Sequence, residues 1–250
     1  MRTFFDLVET GAPAFGIYVG DTGEGVAELA AFAGFDYMRV DYEHTLADSS
    51  ALRNIMRMAQ AADMPTLVRV SALSDITKLL DFGASGILAP NIHTADMAGE
   101  VVRWCKYHPV GERGIANIAR CFRYGATPPA DYISNANRQV CVALNIESVQ
   151  GVREIDSILE VDGVDIVAVG PWDLSQSMGI PGQTSHPDVV AAQDLIVQKT
   201  LAKGKIPLVS AGTPEQGKKW AEKGVMLQTI CFDAPFITKQ FESLISSYKD

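Results

Sequence analysis

The chain has no CxxC pair, no G-x-G-x-x-G or G-x-x-x-x-G-K-[ST] phosphate loop, no apolar run of bilayer-spanning length and no basic patch. Each absence removes a class of function. Four scattered cysteines, Cys105, Cys121, Cys141 and Cys231, sit in apolar segments and read as small buried hydrophobes rather than zinc ligands or disulfides. Without a phosphate loop after any strand, an open nucleotide-binding sheet loses its main support. Positive charge is also short. With 21 Lys and Arg against 30 Asp and Glu, a net of −9, the overall field repels nucleic acid and anionic membranes. The first residues, MRTFFDLVETG, carry Asp6 and Glu9 where a secretory signal needs an apolar core. The expectation is a soluble, unprocessed protein of a reducing cytoplasm. An anionic substrate would have to be met locally, by a buried arginine or a bound metal.

What is present is alternation. Eight short β-branched or apolar runs recur: Phe15–Val19, Tyr37–Val40, Thr66–Val70, Gly86–Ala89, Val140–Ile146, Ile166–Val169, Ile206–Val209 and Met226–Ile230. Each is followed by a Gly, Pro or polar break and then by helical periodicity. Leu52/Ile55/Met56/Ala59 and Val149/Val152/Ile155/Ile158/Leu159 keep the three-and-four spacing of core-facing helices. Thr213-Pro214-Glu215-Gln216 offers an N-cap, a first-turn proline and a glutamine able to close a capping box. Strict alternation calls for a parallel sheet, and eight repeats in 250 residues favour one (β/α)8 TIM barrel domain spanning 1–250. The interval from Ala89 to Val140 leaves room for an excursion around 109–137, expected as an elaborated loop over the barrel mouth. The terminal stripe Phe236, Ile237, Phe241, Leu244, Ile245 and Tyr248 most simply packs on its own barrel, with a neighbouring subunit as the alternative.

A barrel collects its chemistry at the C-terminal ends of its strands. There the sequence places Asp41-Tyr42-Glu43-His44, Arg69, Asn145-Ile146-Glu147 and Gly170-Pro171-Trp172-Asp173. Glu147 and Asp173 on neighbouring strands can converge on a divalent cation that keeps open positions for substrate. Arg69 supplies a permanent planar cation for a carboxylate or enolate oxygen. His44 ionises near neutrality, and Asp41 is placed to hold its tautomer. Glu43 reads as structural, a salt bridge under the rim that does not share an environment with His44. Together these residues suit an oxygen-rich anion whose reaction develops negative charge on oxygen.

The ordered set D-x-E-H (Asp41 to His44), V-R (Val68-Arg69), I-E (Ile146-Glu147) and G-P-x-D-L-S (Gly170 to Ser175) resembles the HpcH/HpaI family of metal-dependent class II 2-oxo acid aldolases. Gly16 to Gly20, Leu79 to Ala84, Pro109 to Gly114 and His186-Pro187 extend the likeness over nearly the whole chain. The resemblance implies a phosphoenolpyruvate/pyruvate-type barrel whose Mg2+, Mn2+ or Co2+ is held by Glu147 and Asp173. It implies pyruvate on that metal, gripped by the Gly170 to Asp173 turn including Pro171, with Arg69 on the enolate oxygen and His44 moving the proton. The reaction is then reversible cleavage of a 4-hydroxy-2-oxo acid to pyruvate and an aldehyde. The resemblance further implies a homohexamer with exchanged terminal helices, in which Asp81 reaches the neighbouring site. Asn145 stands where the family usually has Gln, Trp172 where it often has a small residue and Tyr18 where it frequently has Trp, so the pocket's shape differs. Arg123 and Tyr124 are candidates for the far end of the substrate. A 2-oxo acid decarboxylase, a CoA-thioester lyase and a non-catalytic organic-acid sensor are the alternatives.

Overall fold

The computed structural model describes residues 2–20, 23–46 and 48–249. Its strands are β1 (Ala14–Val19), β2 (Tyr37–Asp41), β3 (Thr66–Arg69), β4 (Gly86–Ala89), β5 (Cys141–Ile146), β6 (Ile166–Val169), β7 (Ile206–Ser210) and β8 (Leu227–Phe232). All pair in parallel in sequence order, and β8 closes on β1. The helices are α1 (Phe4–Glu9), α2 (Glu24–Ala33), α3 (Ser49–Ala61), α4 (Ile76–Phe82), α5 (Ala95–Cys105), α6 (Pro129–Gln139), α7 (Val149–Arg153), α8 (Ile155–Leu159), α9 (Pro171–Ser177), α10 (Pro187–Ala202), α11 (Pro214–Glu222) and α12 (Asp233–Ser247). This is a (β/α)8 TIM barrel, with each expected run on a strand and ends differing by no more than two residues.

The barrel is filled from below. Phe4 and Leu7 of α1 pack with Ala14, Tyr37, Leu67, Leu88, Cys141, Ile166, Leu208 and Leu227 in one buried cluster. Burying such side chains stabilises by roughly 1.5–3 kcal/mol each. Tyr37 meets Phe4 edge-on at 5.6 Å and fills the interior so closely that a Cβ on Gly16 would lie 2.2 Å from its ring. Glycine is therefore a packing requirement at that position. The outer layer buries Leu52, Ile55, Met56 and Ala59 of α3, the stripe legible in the sequence. The single helix expected from Val149 to Leu159 is interrupted at Glu154, where the backbone leaves helical geometry between α7 and α8. At α11, Thr213 accepts the Gln216 N–H as expected, but the Gln216 side chain takes the Gly212 N–H at 2.9 Å, one residue earlier than a capping box requires.

Two sequence expectations are corrected. The excursion does not lie over the mouth; it is fastened down against α4 and the end of α5. Arg113 pairs with Asp81 of α4 at 2.7 Å and lies over the Tyr107 ring, while Lys106 donates to the Asn137 and Val140 carbonyls. These partners lie tens of residues apart, beyond the reach of local sequence pattern. The stripe of α12 is likewise mostly not packed on its own barrel, Ile237 alone of the six being half-buried. Phe236, Phe241, Leu244, Ile245 and Tyr248 are all more than half exposed, and only Asp233 at the helix start is buried.

Candidate active site

A cavity of about 410 Å³ opens where β2, β3, β5, β6 and β8 end. Tyr18, Asp41, His44, Arg69, Asn145, Glu147, Pro171, Trp172 and Asp173 all line it, so nine of the residues singled out from the sequence meet at one place. Arg123 and Asp81 do not. Arg123 sits exposed in the fastened excursion in a left-handed conformation, and Asp81 is engaged by Arg113.

Asp41 organises one half of the site. It is 1% exposed, and its carboxylate accepts Arg69 Nε at 2.8 Å, the Tyr18 hydroxyl, and the backbone N–H groups of Glu43 and His44. Burial pushes its pKa up, but the hydrogen bonds from Arg69 and Tyr18 outweigh that and hold it below the usual carboxylate range. For Arg69 burial opposes the charge, yet the Asp41 bond raises its pKa overall, so the cation is permanent. Arg69 Nη2 donates to the Tyr18 hydroxyl at 2.8 Å and Nη1 lies 3.3 Å from the Glu43 carboxylate. The guanidinium is thereby fixed in one orientation at the mouth.

Two expectations about the D-x-E-H segment change. Asp41 touches the His44 backbone and not its imidazole; the ring Nε2 lies 3.5 Å from the Glu43 carboxylate instead. Glu43 is thus in the site, bridging His44 and Arg69. Its burial raises its pKa despite the nearby Arg69 and His44. The reason is local: Asp41 accepts two successive N–H groups, which curls the chain so that neighbouring side chains no longer alternate as on a strand.

The other half is acidic. Glu147 is 3% exposed; its carboxylate accepts the Asn91 N–H at 2.7 Å and the Asn145 side-chain amide. Burial first, and the like charges of Asp173 and Glu43 after it, push its carboxyl up to about 7. Gly170 sits against it, where a Cβ would lie 2.4 Å from Oε2. Asn145 Oδ1 is buried without a partner. A buried carboxyl whose ionisation is suppressed, sharing the cavity with the Asp173 carboxylate and lying beside an unpartnered amide oxygen, is a donor set that fits a hard divalent cation. Among the described residues no three His, Cys, Asp or Glu side chains form a ready-made cage. At the start of α9 the Gly170 N–H bonds to the Ile146 carbonyl at 3.3 Å and Pro171 has none, so Trp172 and Asp173 carry the first unengaged N–H groups of the helix.

Arg39 and Asp233 also line this cavity and were not singled out from the sequence, nor was the contact of Glu43 with the His44 ring. Arg39 projects inward on the same face of β2 as Tyr37 and Asp41, a placement that period-two alternation through YMRVD could have signalled. Asp233 is 3% exposed and accepts the Gly20 N–H at 2.8 Å, pinning the β1 loop to the start of α12.

A parallel eight-stranded barrel with a fixed arginine and two carboxylates lining one cavity at its C-terminal mouth has the architecture of a barrel enzyme for an oxygen-rich anion. Known proteins carry the assignment further. The model of the HpcH/HpaI aldolase/citrate lyase family matches residues 14–234, and the chain belongs to that family. It is 33% identical over 251 residues to a 4-hydroxy-2-oxo-heptane-1,7-dioate aldolase of Shigella sonnei, covering 99% of this chain and 95% of that protein. The same enzyme of Klebsiella pneumoniae is 34% identical over 99% of this chain and 94% of its own. Among solved structures, an HpcH/HpaI aldolase from Desulfitobacterium hafniense superposes with a TM-score of 0.93 at 28% identity, covering 100% of this chain and 98% of that one. The citrate synthase SbnG superposes with a TM-score of 0.91 at 30% identity, covering 99% and 97%. This chain is accordingly an enzyme of the aldolase type. Among the described residues no helix is long and apolar enough to cross a membrane.

Proposed function

We propose that the chain catalyses reversible aldol cleavage of a 4-hydroxy-2-oxo acid to pyruvate and an aldehyde, with a divalent cation held by Glu147 and Asp173. The observation that carries this reading is the mouth geometry: Arg69, locked by Asp41 and Tyr18, shares one cavity with the Glu147 and Asp173 carboxylates. The cation, when bound, supplies Lewis-acid polarisation of the 2-oxo group. The residues do the rest. The N–H groups of Trp172 and Asp173 orient the substrate carboxylate. His44, 64% exposed at the rim, removes the 4-hydroxyl proton as the C3–C4 bond breaks. The bonding pair passes into the pyruvate enolate, whose oxygen faces Arg69, and a proton returned to C3 completes pyruvate. Fixed cationic stabilisation of that oxygen is where most of the acceleration arises.

The assembly belongs to the same reading. The uncovered apolar face of α12 supports a homo-oligomer, a hexamer by family resemblance, in which one protomer's terminal helix covers a neighbour. Asp81 is kept as an interface candidate. The free thiols of all four cysteines suit a cytoplasmic location. A panel of 4-hydroxy-2-oxo acids, with pyruvate release as readout, tests the reaction. Release that requires Mg2+, Mn2+ or Co2+ and vanishes in Glu147→Ala supports it. Absence of cleavage across the panel at every metal contradicts it.

A further inference from the structure

Arg39 lies one residue pair below Asp41 and Arg69 on the inner face of β2, beside Tyr18 of β1 and within the cavity wall. It is 8% exposed, and its Nε is buried without a partner. Among the described residues it makes no hydrogen bond and no ion pair; its one contact of note is the Tyr18 ring, 5.8 Å from its guanidinium carbon. The acids around it are already engaged. Asp41 is held by Arg69, Tyr18 and two backbone N–H groups, and Glu43 faces Arg69 and His44. A buried charge without a counter-ion is costly to a fold, and a ring face compensates only a small part of it. Such a group fits a protein that receives the missing anion from outside.

Arg69 already spends donors of Nε, Nη1 and Nη2 on partners within the chain, and its remaining two N–H groups serve the enolate oxygen, which leaves a second carboxylate to another cation. Arg39 has its fork free, and five N–H donors in one plane match a carboxylate. In the shared cavity Arg39 sits one inward-facing position deeper along β2 than Asp41, whereas His44 and Trp172, where an aldehyde would leave, are exposed at the rim. It therefore meets the acid component of the reaction.

We propose that Arg39 is a specificity-determining residue that binds a second carboxylate on the acid component, making dicarboxylic 2-oxo acids the preferred ligands of the barrel floor. This deepens the aldolase reading, rests on it for the position of the first carboxylate, and extends its acid component from pyruvate to 2-oxo acids that carry a second carboxylate. The expected partner is a 2-oxo acid whose second carboxylate is separated from the 2-oxo carbon by one or two methylenes.

Calorimetric titration of the Mg2+-loaded full chain with pyruvate, 2-oxobutanedioate and 2-oxopentanedioate tests it, with wild type, Arg39→Met and Arg39→Lys. Wild type is expected to bind at least one diacid tenfold or more tighter than pyruvate. Arg39→Met should bring the three acids within threefold of one another, and Arg39→Lys should keep part of the preference. In ligand-free protein Arg39→Met should also melt at or above the wild-type temperature, since it removes an unanswered charge. Pyruvate binding with no diacid preference in wild type, or with the preference intact in Arg39→Met, overturns this inference and leaves the aldolase reading standing. A lower melting temperature for Arg39→Met overturns it too, by making Arg39 a structural contact. Failure to bind any of the three acids contradicts both.

Discussion

Exchanging Glu147 for glutamine should stabilise the metal-free protein, and should do so progressively as pH rises. The side chain is buried, and its carboxyl is lifted from 4.5 to about 7, first by burial and then by Asp173 and Glu43. In the unfolded chain the same group ionises near 4.5. Below that pH both states carry the proton and Glu147 contributes no pH dependence. Between 4.5 and about 7 the unfolded state releases its proton while the folded state keeps it, so stability falls as pH rises. Above about 7 the loss is complete. At roughly 1.4 kcal/mol per pH unit the interval amounts to about 3 kcal/mol, a large share of the 5–15 kcal/mol typical of a domain. The assay is urea unfolding of wild type and Glu147→Gln in chelator from about pH 5 to pH 8. The amide-for-carboxyl offset is the same at every pH, so the pH dependence of the difference isolates the ionisation. The variant should gain about 2–3 kcal/mol on wild type across that range. Saturating Mn2+ should cancel the gain by stabilising the ionised carboxylate. A difference that stays flat in chelator, or one that favours wild type as pH rises, refutes the reasoning.

Asp41→Asn weakens a buried pair with Arg69 at 2.8 Å and should cost about 3 kcal/mol by denaturant unfolding, with turnover lost as Arg69 swings free; a cost below about 1 kcal/mol would mean Arg69 is held elsewhere. Gly170→Ala puts a methyl 2.4 Å from Glu147 Oε2 and should lower Mn2+ affinity at least tenfold by calorimetry while circular dichroism stays that of the barrel; unchanged affinity would remove Glu147 from the cation site. His44→Ala should slow proton transfer by roughly a hundredfold or more while metal affinity holds, and loss of metal would make His44 a ligand and not a base. Phe241→Glu places a charge on the exposed face of α12 and should shift sedimentation to a smaller species; an unchanged mass would leave that face without a covering copy.

The barrel was readable because its strands are short β-branched runs and its helices carry apolar stripes, both local signals. Asp41, Arg69, Glu147 and Asp173 were readable for a related reason: each is a charge placed where an apolar strand ends. Arg39 was hidden inside a strand, where an arginine in YMRV looks like an interruption until barrel closure turns that face inward. Glu43 was misjudged because strand alternation was extended one residue too far, past the point where Asp41 accepts two N–H groups and turns the chain. The docking of the excursion depends on Arg113 with Asp81 and Lys106 with Val140, contacts between residues more than thirty apart. Periodicity carries no information on such pairs. The stripe on α12 announces an apolar face but not what covers it.

Formation of the pyruvate enolate in this cavity is the step on which the proposed reaction turns. Its most direct test is proton exchange: pyruvate with a deuterated methyl group is incubated with the protein, and label loss to water is followed by NMR. Exchange is expected to depend on added Mn2+ or Co2+ and to be absent in Glu147→Ala. Retention of the label while pyruvate still binds would contradict it and leave a sensor of organic acids in place of an aldolase.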